Sequence, residues 1–158
     1  MYDSAREFFE AASAAAMEAE RCRLQLQALD ETADGVGSPG FEPRVRSTPD
    51  PTREQARTSA LMDQRRRLEE RQEECYRLID SACEVLYGPD NQGGLWALVG
   101  WPADAIWHHY LALETWDEVA ARLMFHPRWV QQQVAVALDV ADGLGDFATR
   151  LGRGIAEG

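Results

Sequence analysis

The chain contains no lysine; all 16 of its basic residues are arginine, set against 27 Asp and Glu, for a formal charge of −11. A surface of that sign keeps a protein soluble and excludes a generic polyanion binder. The deficit is not local. Residues 1–88 carry 12 Arg and 18 acids, and residues 89–158 carry 4 Arg and 9 acids, so neither half is a basic domain. The missing lysine, with abundant Ala, Arg and Gly, is the composition of a high-GC coding source. Histidine is scarce: His108, His109 and His126. Adjacent histidines on a helix point ~100° apart and do not chelate as an i,i+4 pair does. Cysteine is limited to Cys22, Cys75 and Cys83, an odd number without C-x-x-C spacing. Free thiols in a reducing cytosol are therefore expected, rather than a Cys22–Cys75 bridge. No apolar run reaches 18 residues, and SAREFFEAASAAAMEAE near the start is not a signal peptide; a cytoplasmic protein with no membrane partner is the expectation. The Ser-His-Asp order, G-x-S-x-G, the P-loop and the Rossmann glycine set are all missing, as is any carboxylate pair with a cleft signal. This reading yields no enzyme, no cofactor and no metal site.

What the chain does have is Thr115 to Leu138, TWDEVAARLMFHPRWVQQQVAVAL. Thr115 and Glu118 form a capping box. Trp116, Val119, Ala120 and Leu123 recur at helical spacing as one buried stripe. The first helix should end near Met124. His126 takes the cap position of a second helix, and Pro127 suits its first turn, where the missing N–H would be unpaired anyway. Val130, Val134, Ala137 and Leu138 share the inner face of that helix. Two short helices and a tight turn predict a helix-turn-helix, with a recognition helix at about 127–141. At ~100° per residue, Arg128, Gln132 and Ala135 face outward, Gln131 lies on the flank, and Asp139 shares the outward face of Arg128. Arg pairs with guanine and Gln with adenine, each by two hydrogen bonds. Thr115, Arg122, His126, Arg128, Gln131 and Gln132 are accordingly the candidate DNA-binding residues.

The remainder reads as helix and linker. Residues 3–30 carry Ala5, Phe9, Ala12, Ala16, Ala19, Cys22, Leu26 and Leu29 three or four apart, close to a heptad seam. Residues 31–52 hold seven Gly and Pro in 22 positions and predict a disordered loop, in which Arg44 and Arg46 fit a solvated linker. In residues 53–87, Leu61, Leu68, Cys75 and Ala82 repeat every seven. The only basic run, Arg65-Arg66-Arg67, is followed by Glu69, Glu70, Glu73 and Glu74, which should neutralise it. Gly88-Pro89 stops this helix. All five tryptophans then fall within 34 residues, which predicts a core. A helix at 94–99 and another from Pro102 to about Leu113 should support the helix-turn-helix. The expected fold is all-α: a long antiparallel, coiled-coil-like helical hairpin at 1–88, a helix-turn-helix unit at 89–143 and a flexible tail at 144–158.

The stretch resembles the C-terminal helix-turn-helix of small phage and prophage proteins of the autolysin-regulator and late-transcription-activator type, a group similar to region 4 of sigma factors. Trp116, Glu118-Val119-Ala120, Leu123, Phe125, Arg128-Trp129-Val130 and Ala137-Leu138 carry the resemblance, which extends more weakly to the preceding hairpin and to Val45-Arg46-Ser47. It implies a DNA-binding transcriptional regulator, a homodimer, acting on double-stranded DNA and touching RNA polymerase or another protein. The chain departs from the group at Gln133, Ala135 and Val136, where basic residues are usual, and at Met124, where glycine is usual. Phosphate neutralisation dominates DNA affinity, so binding that is weak, partner-assisted or lost is expected. The alternative is a non-enzymatic interaction or structural phage protein with a degenerate helix-turn-helix.

Overall fold

A computed structural model describes residues 2–34 and 51–144. Arg44, the Val45-Arg46-Ser47 triplet and the predicted tail beyond Leu144 lie outside the described residues. Among the described residues the protein is all-helical: α1 (Ala5–Asp34), α2 (Pro51–Tyr87), α3 (Gly94–Val99), α4 (Trp101–Ile106), a π-helical turn (Trp107–Leu111), α5 (Trp116–Leu123) and α6 (Pro127–Asp142). None of these helices is long and apolar enough to cross a membrane.

The expected linker at 31–52 is shorter than its Gly and Pro content predicted. Helix α1 continues to Asp34, and α2 already begins at Pro51. Thr32 is held in α1 by an Oγ1 hydrogen bond to the Ala28 carbonyl (2.8 Å). Proline at the first helical position starts a helix without sacrificing a bond.

The chain divides into two compact units, one of residues 1–18 and 75–158 and one of residues 19–74. In the second unit Ala19, Cys22 and Leu68 are buried. The Arg65 guanidinium binds the Asp30 carboxylate and lies 4.0 Å from Glu69. Arg66 pairs backward with Asp63 at 2.7 Å. Arg65 and Arg66 are thus paired, but chiefly with Asp30 and Asp63 rather than with the glutamates that follow the run. Leu29 and Thr32 line a surface hollow of about 440 Å³ together with Thr58, Leu61 and Met62. Gln25 and Ala28 line another with Gln64 and Leu68.

The first unit holds the main core. Phe8 and Phe9, Val85 and Leu86, Leu95, Ile106, Val119, Val130 and Leu138 are almost fully buried. Phe9 meets the Tyr110 ring at 6.0 Å, and the Ala5 N–H at the start of α1 donates to Asp142 Oδ1 at the end of α6 (2.7 Å). The Tyr87 hydroxyl donates to Asp104 Oδ1 (2.7 Å); burial, then this carboxylate, push the phenol well above its usual range. No disulfide joins Cys22, Cys75 and Cys83, and Cys22 and Cys75 are buried.

Two expectations are corrected here. The helix predicted from Pro102 to about Leu113 is broken into α4 and a π turn, after which Leu113 adopts φ 62°. A π turn widens the helix by one residue. Here it accompanies burial of Ile106 and Tyr110, while Leu113 is left exposed. The tryptophans are not a common core. Trp101, Trp107 and Trp116 are half-buried against it, whereas Trp96 and Trp129 are exposed. Clustering in sequence does not place Trp129 inside, because its neighbour Val130 takes the inner face of α6.

Candidate nucleic-acid interface

Helix α5, the three residues Met124–His126 and helix α6 form the candidate surface. Thr115 is extended (φ −70°, ψ 161°), and its Oγ1 accepts the Glu118 N–H at 3.2 Å, satisfying one orphan donor of the α5 terminus. Met124 ends α5 in the left-handed conformation (φ 63°, ψ 36°), with its N–H on the Ala120 carbonyl. Glycine is the residue that adopts this conformation freely. Phe125 then stacks on Trp101, with centroids 4.6 Å apart and 28° between the planes. His126 caps α6: its Nδ1 accepts the Arg128 N–H at 3.2 Å, which requires the proton to sit on Nε2.

On α6 the inner face is Val130, Val134, Ala137, Leu138 and Ala141, all buried. The spacing that buries them turns Arg128, Gln131 and Gln132 outward, and all three are exposed. Among the described residues the Arg128 side chain has no acidic partner. Thr115 and His126 face solvent beside their caps. The six candidate residues therefore all lie on the surface of α5, its turn and the first turns of α6.

Arg122 differs from Arg128. Its guanidinium holds the Glu114 carboxylate through Nε and Nη2. That hydrogen bond holds the Glu114 carboxyl below its ordinary value and raises Arg122. Glu114, only 14% exposed, also stands 3.0 Å from His108 Nδ1, close enough for an ion pair but without the alignment of a hydrogen bond. Sequence reading missed this group. Glu114 and Arg122 lie eight residues apart across a helix start, a spacing without periodic signal.

The π turn builds a second feature that the sequence did not reveal. The His109 ring stacks on Trp116 at 3.7 Å and 15°, while its Nδ1 lies 2.8 Å from the Glu114 carbonyl. Burial lowers the His109 pKa, and the carbonyl contact opposes the shift only in part. Arg6, Glu10 and Tyr110 border the same shallow hollow. The stack fixes the Trp116 end of α5 against the turn beneath it.

No family model, curated protein or solved structure matches the chain.

Proposed function

We propose that the protein is a non-enzymatic, DNA-binding transcriptional regulator of phage or prophage type, with α5 and α6 as its helix-turn-helix and α6 as the recognition helix. The observation that carries this reading is the exposure of Arg128, Gln131 and Gln132 on the first turns of a capped helix whose opposite face is buried. Recognition helices present their N-terminal residues to base edges in the major groove. Arg128 reads guanine or phosphate, and Gln131 and Gln132 read adenine. Thr115 and His126 contact the backbone from the helix starts, where orphan N–H groups favour phosphate, and Arg122 contacts it from the last turn of α5.

Helices α1 and α2 are read as an antiparallel hairpin. The ion pair of Asp30 with Arg65, and the hollow that Leu29 and Thr32 share with residues 54–65, support that pairing. The hairpin suits contact with RNA polymerase or another protein partner, which would supply the affinity that few arginines cannot.

The test is fluorescence anisotropy with the DNA upstream of the gene and with random duplex, at low and moderate salt. Salt-sensitive binding that prefers the upstream DNA is expected. Arg128→Ala should weaken it about tenfold and reduce the salt slope by about one. Equal binding by Arg128→Ala would remove α6 from the role of reader. A second reading, an interaction protein with a degenerate motif, is favoured by one observation: Met124, Phe125 and Val136 are exposed apolar groups on the same surface. Failure to bind any duplex at low salt would select it.

A further inference from the structure

The adjacent histidines of the π turn hold one residue between them. The Glu114 N–H donates to the His108 carbonyl at 3.0 Å, and the Glu114 carbonyl accepts from His109 Nδ1 at 2.8 Å. With its backbone held on both sides, Glu114 is left to swing only its carboxylate. Oε1 accepts from Arg122 Nε at 3.1 Å and from Nη2. Oε2 is shared: it lies 3.3 Å from Arg122 Nε and 3.0 Å from His108 Nδ1.

The two contacts differ in quality. Arg122 binds through two nitrogens, whereas His108 Nδ1 is buried and makes no aligned hydrogen bond. A nitrogen lone pair would be repelled by a carboxylate oxygen at that distance, so Nδ1 carries the proton of the neutral ring. His108 thus lacks only charge. Acid supplies it: a second proton, from solvent, adds to Nε2 and the ring becomes an imidazolium. Hydrogen bonds from a charged donor are roughly twice as strong as neutral ones. Around the ring, Trp107 lies edge-on at 5.0 Å, with Cys83 of α2 against Trp107 and Asp80 acting on Cys83. One turn back on α4, Asp104 accepts the Tyr87 hydroxyl. On α5, Glu118 adds a weaker attraction to Arg122. Burial keeps the neighbouring His109 neutral to lower pH.

We propose that Glu114 is a counter-ion shared by His108 and Arg122, so that protonation of His108 draws the carboxylate off Arg122 and frees that guanidinium for phosphate. Arg122 is the partner that leaves, because its side chain is 56% exposed and that of His108 only 20%. Water screens the outer pair more strongly than the inner one. Glu114 stays charged throughout, since the Arg122 hydrogen bond and then His108 hold its carboxyl below the ordinary range. The passage of Arg122 to phosphate rests on the reading of α5 and α6 as a DNA-binding unit; the coupling between His108 and Arg122 does not.

Two readouts test this, the first without DNA. In nuclear magnetic resonance of the isotope-labelled full chain at pH 7.5, the Arg122 Nε–H signal should lie apart from its position in Glu114→Gln. At pH 5.5 the wild-type signal should move at least halfway to that position, while in His108→Gln it stays. The second readout is fluorescence anisotropy with a random duplex at low salt. The gain in affinity from pH 7.5 to 5.5 should be about two- to threefold larger in wild type than in His108→Gln or Glu114→Gln. His126 is present in all three proteins, so its own protonation cancels from the comparison. His108→Asn serves if circular dichroism shows His108→Gln unfolded. A wild-type Arg122 signal that stays, or one that moves equally in His108→Gln, overturns the coupling. A moving signal with equal affinity gains overturns the release to phosphate. A moving signal with no duplex binding by any of the proteins overturns the DNA reading and upholds the coupling.

Discussion

Glu114 clasps Arg122 across the start of α5, with two guanidinium nitrogens on one carboxylate. Arg122 and Arg128 are the two arginines of residues 115–142, and this contact divides their roles. Glu114→Gln should release Arg122 toward phosphate. Duplex affinity at low salt should rise a few-fold and its salt dependence should steepen, since phosphate contacts set both. Arg122→Ala should cost less binding than Arg128→Ala. Anisotropy titrations of the three variants at two salt concentrations would decide this; equal losses for the two arginines would mean that the clasp does not withhold Arg122.

Met124 is a left-handed residue without the excuse of being glycine, and its side chain is 90% exposed. The conformation costs roughly 1 kcal/mol, and truncation loses almost no packing. Met124→Gly should therefore raise stability by about 0.5–1 kcal/mol, read as a higher urea midpoint with an unchanged slope. A lower midpoint would show that the methionine side chain contributes contacts that its exposure conceals.

His109 supplies a pH dependence with a definite sign. Burial holds its folded pKa below the ordinary 6.5, so the unfolded chain takes up the proton first. Stability is unaffected by this residue above that value and falls as the pH drops through it. Trp116, the Glu114 carbonyl and the Tyr110 ring edge surround the imidazole, and Arg6 and Glu10 border the hollow beside it. The Glu114 carboxyl, held below its ordinary 4.5, contributes its own loss only at more acid pH. Urea unfolding at pH 7.5 and 5.5 should show a stability loss on acidification that is smaller in His109→Gln. An unchanged loss in the variant would assign the effect to another group.

Gly94 opens α3 at φ +66°, and a methyl group there would sit 2.6 Å from the Leu86 carbonyl carbon and the Tyr87 nitrogen. Backbone cannot step aside as a side chain can. Gly94→Ala should cost about 2–3 kcal/mol or more, from clash and strain together. Gly100 has φ +75° and ψ −137° but open space around it, so Gly100→Ala should carry backbone strain alone, about 1–2 kcal/mol, without a clash. Thermal melts of the pair would separate crowding from strain, and equal costs would refute the crowding.

The sequence by itself determined the local elements of the candidate site. Thr115, the Pro127 start and the three-and-four spacing of Val130, Val134, Ala137 and Leu138 act within one or two helical turns, so capping and periodicity are enough to place them. The exposure of Arg128, Gln131 and Gln132 follows from the same spacing. Proline at position 51 and the reach of α1 to Asp34 were harder to read, because composition marks where Gly and Pro are dense but not where a helix first yields to them.

Tertiary structure decided everything that depends on residues with no periodic relation. The Glu114–Arg122 clasp and the His109–Trp116 stack are set by the π turn, which shifts the chain by one residue between α4 and α5, and no pattern of apolar residues records that shift. The fate of the tryptophans was decided in the same way. Trp129 and Val130 are neighbours in sequence, yet helical geometry allows only one of them the inner face, and packing against α4 and α5 gave it to the valine.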